Sequence, residues 1–173
     1  MVYEIIEYLR RLGFADTLII LVISTLPIVE LRGSIPVGIL ALSKPYLPVI
    51  ILSLIGNLLP VPILLKFFDS FTVLLNKWKP TRVILEWVFK RTRKKTGLIE
   101  KFEFWGLVLL VAIPLPFTGA WTGVVASYLT GLSFKRAFIG ISIGVLIAGV
   151  IVSALTILID LGFVKGSGII LNY

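Results

Sequence analysis

The sequence predicts an all-α polytopic membrane fold: an inverted repeat of a re-entrant helical hairpin plus a transmembrane helix, with amphipathic interfacial helices. Three observations predict it. Of the 173 residues 58% are hydrophobic and 15% charged, where a soluble domain carries roughly 25% charged residues. Two stretches, residues 45–65 and 137–159, carry no charge at all. Two more apolar stretches, residues 17–43 and 104–134, are interrupted by Pro and Gly. The same counts exclude other classes. With no Cys and no His, the chain can form no disulfide, no thiolate or imidazole metal site and no His-based triad. No metal, no cofactor and no enzymatic activity are therefore expected.

One transmembrane domain over residues 1–173 is expected, and its elements follow in order. Residues 1–16 place Ile5, Ile6, Leu9, Leu12 and Phe14 opposite Glu4, Glu7, Arg10 and Arg11, as an amphipathic helix at the lipid interface would. Acidic residues precede the apolar ones, which is not the order of a signal peptide. Residues 17–43 form the first broken segment, interrupted at Pro27, Gly33 and Pro36. Residues 45–65 follow as a span, because about 20 apolar residues cross roughly 30 Å of hydrocarbon. The link, residues 66–103, carries ten Lys/Arg against four Asp/Glu, with Trp78 and Trp87 among them. Such a link stays in the cytoplasm by the positive-inside rule, either as a solvated loop that only sets topology or in contact with anionic lipid, and nucleic-acid binding is not expected. Residues 104–134 form the second broken segment, interrupted at Pro114, Pro116, Gly119 and Gly123. Residues 137–159 are the second span, and residues 160–173 a tail.

Each broken segment admits two foldings, a kinked full span or a hairpin that returns to the side it entered. Hairpins put 12 basic residues inside and 4 outside, whereas full spans put 13 and 3, so charge counting does not separate them. Hairpins are preferred because Pro and Gly cluster near the middle of both segments. Broken segment, span, link, broken segment, span is then a two-fold repeat entering from opposite sides, the pattern of secondary transporters.

Glu30 and Arg32 are the only charges inside the broken segments. An ionisable group at membrane depth is costly and is a functional hypothesis by default. Burial raises a carboxyl pKa and a nearby Arg lowers it, so Glu30 is a candidate proton or substrate site with Arg32 as its modulator. A purely structural Glu30–Arg32 pair is the alternative. Asn57, the lone amide of the spans, together with Thr118, Trp121 and Thr122, are candidate pore-lining residues. Asn57 could equally bond to the first hairpin, the two threonines could satisfy backbone groups freed by proline, and Trp121 could be an interfacial anchor. Gly119, Gly123, Ser127 and Gly131 recur every four residues and read as a packing stripe, and Gly140 and Gly144 as a GxxxG pair.

Three strings then carry a resemblance: ELRGSIP at Glu30–Pro36, GNLLP at residues 56–60 and PLPFTGAWTG at residues 114–123. With them the chain resembles the small multi-drug export protein family over residues 17–160, and more distantly the DedA and VTT membrane proteins. The resemblance implies two re-entrant hairpins meeting within the bilayer, and transport of ions or drugs, or lipid movement. It matches Glu30 to the acidic residue of the first hairpin. Positions 113–123 hold no Arg where DedA-like proteins carry one.

The expected function is secondary transport of a small solute or amphiphile, with protons as candidate coupling ion. A multi-pass protein of the cell's inner (cytoplasmic) membrane is expected, in contact with membrane lipid and, being small, as a homodimer. A lipid flippase or scramblase and a non-transporting membrane scaffold are the rivals. A polar environment at Glu30 separates transport from a scaffold.

Overall fold

The computed structural model describes residues 2–11, 13–27, 29–76, 104–115 and 118–162. Most of the basic link, Pro116 and the tail from residue 163 lie outside them. The described helices are α1 (Val2–Arg11), α2 (Asp16–Thr25), α3 (Glu30–Pro36), α4 (Tyr46–Leu58), α5 (Pro60–Asn76), α6 (Phe104–Ala112), α7 (Ala120–Leu129) and α8 (Phe134–Asp160).

Proline places the breaks. Leu26, forced extended by Pro27, ends α2 with ψ 135°. Pro36 has no N–H to donate, and the chain after it widens into a π-turn, Val37–Ala41. Pro60 starts α5, where its missing donor costs nothing. With α4 it makes an apolar run of Tyr46–Phe68, about 34 Å long. The second long helix is Phe134–Asp160. Both outrun the uncharged stretches, because Lys66, Lys135 and Arg136 end a hydropathy window without ending a helix.

The chain forms two compact units, Met1–Asn57 with Gly149–Tyr173, and Leu58–Ala148. In the first, α2 and α3 lie antiparallel. A Cβ at Gly33 would reach 4.0 Å from Ile23, and one at Gly38 would reach 3.2 Å from Ile20. Position 38 also faces Val49, and Ser34 bonds Ser53, so α4 runs antiparallel to α3. The ends of the broken segment meet as well. Asp16 and Lys44, which bracket residues 17–43, are ion-paired at 2.7 Å. A kinked full span would hold those ends roughly 30 Å apart. Helices α2 and α3 are thus an antiparallel pair, tied at its open end by the Asp16–Lys44 contact.

Arg10 of α1 joins the same carboxylate through Nε at 2.7 Å and through a terminal nitrogen at 3.0 Å. These hydrogen bonds, from Arg10 first and Lys44 second, hold the Asp16 carboxyl at about 2, below its ordinary 3.8. The sign follows from the depressed value. The stabilisation is whole above pH 3.8 and is lost as the pH falls through about 2. Melting of the detergent-solubilised protein from pH 5 to pH 2 should show this fall, and Asp16→Asn should flatten it. A wild-type profile with the slope of Asp16→Asn would count against the clamp.

In the second unit α6 and α7 pack together, and α5 packs on α7, where the Phe68 and Tyr128 rings lie 4.6 Å apart. Gly140 and Gly144 admit α6 closely. Cβ atoms there would lie 3.3 Å from Phe104 and 2.5 Å from Val111, so α8 runs parallel to α6. The four-residue stripe needs correction. Gly123 packs, with Val111 2.7 Å and Ile141 3.1 Å from a Cβ built there. Gly131 lies past the end of α7 at φ +69° with open space around it, and the Leu132 N–H reaches back to the Ser127 carbonyl as in a Schellman cap. Gly119 lies before α7. Spacing alone cannot tell a packing glycine from one chosen for its backbone. Helix, break, helix, four-residue link and long helix recur in the same order in both halves of the chain.

Candidate functional site

Residues of three helices converge around the first hairpin's tip. Helix α2 has 10 residues and is about 15 Å long, half the thickness of a bilayer's hydrocarbon. Glu30 sits just beyond its end, at the first position of α3. Its residue is 2% exposed, and its backbone is left-handed at φ +51°. Only Gly, Asn and Asp adopt that region readily, so a glutamate there costs roughly 1–2 kcal/mol. Such strain persists where the surroundings over-determine it, commonly at functional positions. Arg32 is half-buried and within electrostatic reach of the Glu30 charge.

Around this tip the first unit buries hydroxyls and an amide. Ser24, Ser34 and Ser53 are fully buried. Ser24 bonds the Leu21 carbonyl at 2.7 Å, and the Ser34–Ser53 bond, also 2.7 Å, ties α3 to α4. Gly56 lets α4 approach α2, since a Cβ there would overlap Ser24 Oγ and lie 2.7 Å from the Leu21 carbonyl oxygen. Asn57 follows it, 1% exposed. The serines were not singled out from sequence. Their signal is weak, because a serine in an apolar helix usually bonds its own backbone.

The second unit places its candidates differently. The Thr118 hydroxyl points at the carbonyls of Ile113 and Leu115, at 2.7 and 2.6 Å, and accepts the Leu115 N–H at 3.2 Å. It thus closes the turn around Pro114. Gly119 stands before α7 at φ 115°, ψ −165°, a region essentially reserved for glycine. Trp121 and Thr122, in the first turn of α7, are half-buried. Gly119→Ala should therefore cost about 1–3 kcal/mol. Urea unfolding in detergent measures it, and an unchanged midpoint would refute the assigned backbone. Among the described residues, no group of three His, Cys, Asp or Glu side chains comes together to hold a metal.

The surface defines the class of protein. Leu47, Ile51, Ile55, Leu59, Ile63 and Phe67 recur every four residues along the first long helix, and all are exposed. On α8, Val150 is 71% exposed and Leu155 55%. Soluble monomers rarely expose contiguous apolar surface of this extent. Two long apolar helices with mostly unburied faces, where all the described elements are helices, are those of a membrane protein. The family model described as "Putative small multi-drug export protein" matches residues 30–151, more than two thirds of the chain. The chain belongs to the small multi-drug export protein family, whose membership points to a role in membrane export or transport. No curated protein and no solved structure matches it.

Proposed function

We propose that the chain is a secondary exporter of a small solute or amphiphile, with Glu30 as its proton or substrate site and Arg32 as its modulator. One observation carries the reading: a glutamate buried just beyond a helix about half as long as a bilayer's hydrocarbon is thick. A carboxylate so placed is expensive unless it is used, and binding or releasing a proton there is a natural use. In this reading both broken segments are re-entrant and the two halves are inverted repeats. The basic link is cytoplasmic in a multi-pass inner-membrane protein. Asn57 in the first unit, and Thr118, Trp121 and Thr122 in the second, are its pore-lining candidates, and two copies associate. The chain moves its substrate without chemical change.

The test is flux into proteoliposomes under an imposed pH gradient, with a lipophilic cationic dye as probe. Wild type should take up dye, and Glu30→Gln should fall to the level of empty vesicles. Equal gradient-driven uptake by both would remove Glu30 from the mechanism. Scrambling of a fluorescent phospholipid without dye uptake would favour lipid movement instead.

A further inference from the structure

The first unit holds further polar groups beside Asn57 and Glu30, and together they are ordered by depth. Tyr46 donates to Asp160 at 2.7 Å, joining the start of α4 to the end of α8. The two helices run antiparallel from there, since position 149 meets Leu54. Ser53 stands seven residues along α4 from Tyr46, and Ser153 seven residues back along α8 from Asp160. Both are therefore about 10 Å in from that end. Asn57 is one turn deeper, about 16 Å in, and Glu30 lies beyond the roughly 15 Å of α2.

Two of these groups lack partners. Asn57 Nδ2 and Oδ1 and Ser153 Oγ are buried and form no hydrogen bond with the protein. Ser153 is 6% exposed and Asn57 1%. Neighbouring hydroxyls show the ordinary solution: Thr156 bonds the Val152 carbonyl at 2.8 Å, and Ser24 bonds the Leu21 carbonyl at 2.7 Å. Ser153 has the same kind of carbonyl within its own helix and does not take it. Buried polar groups in native proteins are paired with protein or with ordered water, and a bare amide among apolar side chains is rare.

We propose that these groups bind water, and that a file of water molecules runs from the Tyr46–Asp160 end, past Ser153 and the Ser34–Ser53 pair, to Asn57 and Glu30. Asn57 offers two donors and an acceptor, and Ser153 one donor and an acceptor, so each can relay the file in both directions. The inference deepens the exporter reading by giving Glu30 access to one membrane face only.

The absence of Cys from the sequence makes single-cysteine variants direct reporters. Silver ion is the probe, because it is small and reaches thiols only through water. Full-length Ser153→Cys and Asn57→Cys are exposed to it in proteoliposomes, then alkylated in denaturant to count unreacted thiols. Tyr46→Cys is the wet reference, and the apolar-exposed Val150→Cys, one turn from Ser153, the dry one. Both buried thiols should lose alkylation as Tyr46→Cys does, while Val150→Cys keeps it. Protection of both at the level of Val150→Cys overturns the file. So does reaction at Ser153→Cys alone, since the file then stops short of Glu30. Ser153→Cys is nearly isosteric and keeps the test intact if Asn57→Cys does not fold. The two readings fail separately: reactive thiols with equal dye uptake by wild type and Glu30→Gln sink the exporter alone, and unreactive thiols with uptake lost in Glu30→Gln sink the file alone.

Discussion

Glu30→Gly is expected to be more stable than Glu30→Ala by about 1 kcal/mol, the reverse of their order in an ordinary helix interior. Both variants lose the carboxylate, so its interactions cancel in the comparison. What remains is the backbone, held at φ +51°. Alanine pays roughly 1–2 kcal/mol to enter the left-handed region, and glycine enters it freely. Urea unfolding of both proteins in detergent measures the difference. Both should also lose gradient-driven dye uptake. An alanine variant as stable as the glycine variant would mean that the backbone at residue 30 is not strained, and uptake by either would mean that the carboxylate is dispensable.

Gly56→Ala carries the second large effect. Its methyl group would overlap Ser24 Oγ and meet the Leu21 carbonyl oxygen at 2.7 Å, where no side chain can yield. Overpacking of this kind costs typically 1–3 kcal/mol, and the backbone obstacle places this case toward the upper end. Ser24→Ala in the same chain removes the hydroxyl but not the carbonyl, so rescue should be partial. A double-mutant cycle on thermal unfolding resolves the two parts. A Gly56→Ala protein with wild-type stability would contradict the close approach of α2 and α4.

Much of the architecture is legible in residue order. The uncharged runs at residues 45–65 and 137–159 mark the long helices, and Pro27 and Pro114 mark the breaks. The folding of the broken segments is not legible from charge. The Asp16–Lys44 pair stands in plain view in the sequence, but its meaning depends on a contact between residues 28 positions apart. Residue 30 shows the same division. A lone acid in an apolar segment attracts notice, whereas its left-handed backbone cannot be anticipated, since glutamate has no preference for that region. Thr118 and Gly131 are ambiguous for a related reason. A hydroxyl and a glycine look alike in sequence whether they face a path, close a turn or end a helix, and only their hydrogen bonds and dihedrals distinguish the cases.

The length of α2 has a consequence for how the protein is made. In the re-entrant reading, a leg of about 15 Å cannot be held across the bilayer as it leaves the ribosome. Nor can it rest at mid-depth alone, because the polar backbone at its tip would face hydrocarbon. The hairpin therefore has to wait for its cover. Lys44 must be synthesised before Asp16 is tied to the far end of the segment, and Ser53, Gly56 and Asn57 before the tip has a wall to pack against. In that reading, insertion of the first half is a late, concerted event set by the arrival of α4.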